Sequence, residues 1–102
     1  MTRKTAADAR AVLARHGVDP ALDAGGLAAA LLARGWTVVV EEDDAAPAAR
    51  QWQRWRALAT RPRPDADPWG VGPTDHVQGR GRTEAEVLGR VLAAALEHDE
   101  GA

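Results

Sequence analysis

The sequence of 102 residues predicts an α+β domain: a small antiparallel sheet of two to four strands packed with helices, in the order α-α-β-β-(β)-α. Three observations carry this prediction. Trp36–Glu42 reads WTVVVEE, a β-branched run whose alternation suits a strand with one buried face. Thr83 and Glu86 form a T-x-x-E capping box directly ahead of an Ala/Leu stretch with helical spacing. Between these two, QWQRWRALAT supplies a return strand, and the Pro- and Gly-rich residues 61–73 break any helix. A chain of this length is expected to form one domain over residues 1–102.

The elements follow in order. Thr5 is placed to cap a first helix, with Asp8 three residues on and an apolar spacing of Ala9, Val12, Leu13 and His16. Gly17 then ends it in a left-handed conformation. Asp19–Pro20 reads as the cap and first residue of a second helix. Gly25 and Gly26 each weaken a helix interior by roughly 1 kcal/mol relative to Ala, so this helix is expected to establish itself near Gly26. It runs through Leu27, Ala30, Leu31 and Arg34 and stops at Gly35.

In the strand that follows, Trp36, Val38 and Val40 share one face, and Thr37, Val39 and Glu41 the other. A turn containing Pro47 leads to the return strand, where Trp55, Ala57 and Ala59 oppose Trp52, Arg54, Arg56 and Leu58. A short third strand is expected around His76–Gln78. The last helix buries Leu88, Val91, Leu92 and Ala95, with Val87 and Leu96 flanking and Glu86, Arg90 and Glu97 facing water. Residues 1–4 and 98–102 are expected to fray.

Composition excludes much chemistry. The chain has no Cys and no Ser, so thiolate metal sites, disulfides and Ser or Cys nucleophiles are ruled out. Many Arg against a single Lys, with abundant Ala, reads as the codon bias of a GC-rich bacterial or phage genome. No apolar run approaches a membrane span and no apolar leader is visible, so a cytoplasmic protein of a bacterium or phage-infected host is expected.

A helix ending in ARGW (Ala33–Trp36), a strand, a return strand carrying Trp55–Arg56–Ala57, and then GRGRTEAEVLGRVLAAALE (Gly79–Glu97) together resemble the small phage-type α/β/α, or ABA, sandwich proteins. The likeness spans about Leu27 to Leu96, with Gly35–Trp36 and Thr83 as further markers. It implies a small α/β fold and carries no known activity. The order strand, strand, GxGxT, helix is also similar to HicB-like antitoxin domains, a resemblance that implies a small cognate toxin as partner.

The net charge of −2 hides a basic segment between two acidic ones. Residues 50–63 hold five Arg and no acid, whereas Glu41–Asp44 is wholly acidic and residues 64–102 hold eight acids against three bases. Arg50, Trp52, Arg54, Arg56, Arg61 and Arg63 are therefore the candidate binding residues. Trp and Arg are the types enriched at protein–protein hot spots, so a protein partner or a second copy is the leading expectation. Single-stranded nucleic acid or a nucleotide is the alternative, since basic grooves with aromatic platforms bind it. Trp69 is either a lid on the core or a further contact residue.

Gly79, Arg80, Gly81 and Arg82 suggest an anion site at a helix start. However, Glu84 and Glu86 already place negative charge there, which favours plain capping. Glu41–Asp44 reads as a solvated turn. Asp65, Asp67, Asp75 and His76 lack metal-ligand spacing, and His16 and His98 suit helix C-termini. The expectation is a non-enzymatic interaction module with no catalytic residue, metal or cofactor.

Overall fold

The computed structural model of this chain describes residues 6–19, 21–43, 54–63 and 74–100. The order is α1 (Ala6–Arg15), α2 (Ala24–Ala33), β1 (Thr37–Glu42), β2 (Trp55–Pro62), β3 (Thr74–Gly81) and α3 (Glu84–Glu100). The α+β prediction holds: the three strands form one antiparallel sheet in the order β1-β2-β3. The expected Thr5 cap of the first helix lies outside the described residues.

Both leading helices end by the same device. Val18 N–H donates to the Leu13 carbonyl at 2.9 Å and Gly17 N–H to that of Ala14 at 3.1 Å. At the end of α2, Trp36 N–H donates to Leu31 and Gly35 N–H to Leu32, each at 3.0 Å. These are Schellman closures, and they require the left-handed φ of +74° at Gly17 and +85° at Gly35. In each, the residue after the glycine (Val18 or Trp36) returns to the same core as the helical residue it closes upon.

The start of α2 differs from expectation. Asp23, not Asp19, is its N-cap, with Oδ1 accepting from Gly26 N–H at 2.8 Å. Asp19 instead accepts from Ala21 N–H at 2.9 Å and forms a local turn. A Cβ at Gly26 would lie 3.1 Å from Leu22 Cδ2 and 3.3 Å from the capping oxygen, so this glycine makes room for its own cap.

The third strand is much longer than predicted and takes in Gly79 and Gly81. Its length is explained from outside the strand. A Cβ at Gly81 would meet Val87 N at 3.1 Å, and one at Gly79 would meet Val91 Cγ2 at 3.1 Å. The two glycines share the inward face of β3 and let α3 lie against it. On the far side of α3, Gly89 admits Leu27 of α2, whose Cδ1 would lie 3.9 Å from an added Cβ. Thus α3 is the central element, touching α1 and α2 as well as β2 and β3.

Its buried set, Val87, Leu88, Val91, Leu92, Ala93, Ala95 and Leu96, is correspondingly wider than the predicted stripe. Thr83 caps it as expected, with Oγ1 accepting from Glu86 N–H at 3.1 Å. Two further boundaries shift. Arg61 and Pro62 belong to β2 rather than to the Pro-rich connection. Residues 98–100, expected to fray, are helical, because His98 and Asp99 find partners on the sheet.

The described helices cover one face of the sheet. Ala57 and Ala59 are buried against them, and Val38, Val40 and Val77 are packed on the same core. The opposite face carries Val39, Arg56, Leu58, His76, Gln78 and Arg80, all exposed. No helix among the described residues is long and apolar enough to cross a membrane.

Candidate interaction surface

The uncovered face is ordered by strand register into three cross-strand rows. Thr37, Thr60 and His76 form one, Val39, Leu58 and Gln78 the next, and Glu41, Arg56 and Arg80 the third. The apolar pair is central. Val39 is 57% and Leu58 41% exposed, although β-branched and leucyl side chains on a sheet are more often covered. The middle and charged rows bound a shallow depression of about 550 Å³.

The predicted arginines divide between two places. Arg56 holds Glu41, with Nη2 to Oε2 at 2.6 Å, and Arg54 Nε donates to Glu42 Oε2 at 2.9 Å. Glu41 and Glu42 are therefore strand residues with cross-strand partners, as the reading of Trp36–Glu42 as one strand expects and the solvated-turn reading of Glu41–Asp44 does not. In an antiparallel pair the end of one strand meets the start of the next, so an acidic run before a turn and a basic run after it become neighbours.

Arg61 and Arg63 go elsewhere. Arg61 projects from the covered side of β2, its guanidinium carbon 4.4 Å from the ring centroid of Trp36. Its two terminal nitrogens fork onto the two Asp99 oxygens. Arg63 Nε donates to Asp75 Oδ1 at 2.8 Å, and His98 Nε2 lies 3.3 Å from Asp75 Oδ2. His98 also stands edge-on to Trp36, ring centroids 6.0 Å apart.

The Arg63 hydrogen bond, aided by His98, holds the Asp75 carboxyl below the usual aspartate range. Asp99 holds the Arg61 guanidinium above its ordinary value. This cluster ties the end of α3 to the sheet over a fully covered tryptophan. Local sequence does not group its members, because Asp99 falls in the stretch expected to fray and Trp36 shares only a strand face with Val38 and Val40.

The anion reading of residues 79–82 has a different outcome. The 2.7 Å bond from Asp43 N–H to the Arg54 carbonyl fixes the alternation of the ladder. By that alternation Gly79 and Gly81 direct their N–H groups toward β2. The amides of Glu86 and Val87 are taken by Thr83. Arg80 lies on the uncovered face and Arg82 beyond the strand, and neither has a carboxylate partner among the described residues.

Asp75 and His76 fall on opposite faces of β3, so they do not form a shared cluster. Among the described residues no group of acids and histidines is placed to hold a metal ion. Arg50, Trp52, Asp65, Asp67 and Trp69 lie outside the described residues. No protein-family profile, curated protein or solved structure matches this chain.

Proposed function

We propose that this chain is a non-enzymatic protein–protein interaction module that docks its partner on the uncovered sheet face. The observation that carries the reading is the exposed Val39–Leu58 pair, set between a hydroxyl/imidazole row and a charged row. An apolar centre within a polar rim is the usual anatomy of a protein interface. Arg80 beside the Arg56–Glu41 pair gives the rim an available cation, suited to a carboxylate on the partner.

A photoactivatable residue in place of Leu58, introduced in the native host, tests the proposal. Expected is a discrete protein adduct that Arg80→Glu weakens. A similar probe at Leu32, exposed on α2, should not give that adduct. Absence of any Leu58 adduct in the native host sinks the reading.

The pairing of the arginines is also what favours protein over nucleic acid. Arg54, Arg56, Arg61 and Arg63 each contact a carboxylate, so a phosphate chain would have to displace acids already in place. Titration with single-stranded oligonucleotides at low salt, followed by tryptophan fluorescence, should leave the emission unchanged. Salt-sensitive quenching would reverse the preference.

A further inference from the structure

We propose that the edge of β1 with no strand beside it among the described residues pairs antiparallel with the same edge of a second copy, joining two three-stranded sheets into one of six strands. The two edges of the sheet are not alike. Ladder alternation directs the N–H and C=O of Val38, Val40 and Glu42 away from β2, and those of Thr74, His76, Gln78 and Arg80 away from β2 on the other side. On β3 the helix intervenes: Arg90 Nη1 donates to the outward Arg80 carbonyl at 2.8 Å. On β1 the outward groups of Val38 and Val40 meet no side-chain donor or acceptor among the described residues. Over Thr37–Val40 that edge carries no charge, Pro or bulge of the kind that blunts an exposed strand, and its two charges, Glu41 and Glu42, stand at one end.

The sequence of β1 selects one register. With Val39 on the two-fold axis, Val38 faces Val40 of the second copy and Val40 faces its Val38. Both pairs then join through the outward backbone groups. Glu41 and Glu42 of one copy come abreast of Thr37 and Trp36 of the other.

Along the strands the two Glu41 positions thus stand roughly 14 Å apart and the two Glu42 positions roughly 20 Å, by the rise of a strand, each next to the Arg34 turn of the other copy. A parallel arrangement would superpose the acids. On the uncovered face the apolar row becomes continuous, running Leu58, Val39, Val39, Leu58 across the axis. The inference goes beyond the preceding reading: the second copy pairs at the β1 edge, and the uncovered face, continuous across the axis, stays open to the docked partner.

Sedimentation equilibrium with charge-swap variants tests it. Val39 is exposed, so Val39→Lys and Val39→Glu should fold, which circular dichroism verifies. Wild type should rise with concentration toward twice the monomer mass of 10.8 kDa. Each Val39 variant alone should stay at the monomer mass, since like charges would oppose each other at the axis. An equimolar mixture of the two should regain the twofold mass, and Leu58→Lys should remain dimeric because Leu58 lies one strand from the axis.

In wild type the Val38 and Val40 amides should exchange more slowly as the dimer fills, while the Val39 amide, bonded to β2, should not change. A wild type at monomer mass throughout, or a mixture that stays monomeric, overturns the inference. Neither result touches the Leu58 adduct. Loss of that adduct with the dimer intact would overturn the docking face alone.

Discussion

Arg56 and Arg61 come from one basic run on one strand, yet the fold sets them to different work. Arg56 reaches into solvent from the uncovered face, its side chain 61% exposed, and meets one glutamate. Arg61, on the covered face, lies on a tryptophan that is 1% exposed and forks onto an aspartate at the end of α3. The difference is parity along the strand. An even-numbered position on β2 meets water or a partner, and an odd-numbered one meets the helical layer. Charge in the sequence therefore says little until the face is known.

The largest test of this contrast removes the floor beneath Arg61. Trp36→Ala should cost about 3–5 kcal/mol, as for other large aromatic truncations in a core, measured by urea denaturation followed by circular dichroism. A cost near zero would mean that the covered end is not anchored by this ring. Arg61→Ala should follow at about 1 kcal/mol, combining an aromatic-face contact with a mostly solvated ion pair. Arg61→Lys should not recover it, because lysine lacks the planar fork.

The pH dependence of Asp75→Asn sharpens the same end. The folded pKa of Asp75 is lowered by the Arg63 hydrogen bond, so its contribution is fully present above the unfolded aspartate value of about 3.9. It falls away as pH drops through the lower folded value. The stability gap between wild type and Asp75→Asn should therefore close as pH falls below about 3.9. A gap that widened in acid would contradict the assignment. Smallest of all, Arg56→Ala should stay within about 0.5 kcal/mol. A double-mutant cycle with Glu41→Ala checks this, and a large coupling would erase the contrast between the two faces.

What the residues disclosed in advance was what depends on near neighbours. The common face of Val38 and Val40 and the Thr83 cap follow from alternation and from a three-residue reach, and both appear as expected. The start of α2 was misplaced because two aspartates compete as caps within a few residues, and the winner depends on Gly26 leaving space. Gly79 and Gly81 fall beyond the strand expected at His76–Gln78 because their cause is the approach of α3, which no local pattern contains. Asp99 read as part of a loose end because its partner is 38 residues away on β2. On the candidate surface, the arginines were visible from composition. The exposed Val39–Leu58 pair became meaningful only once the helices were known to share one side.

The central position of α3 has a consequence for how the molecule is made. Both leading helices and two of the three strands rest on it, and it is the last of the described elements to leave the ribosome. Until it emerges, the apolar sides of everything synthesised earlier lack their main cover. The nascent chain must therefore carry those surfaces unsatisfied until α3 is made, and compaction waits for that element rather than proceeding element by element. Ribosome-stalled chains ending before residue 84 should accordingly be far more sensitive to protease than chains stalled after α3 has cleared the exit tunnel.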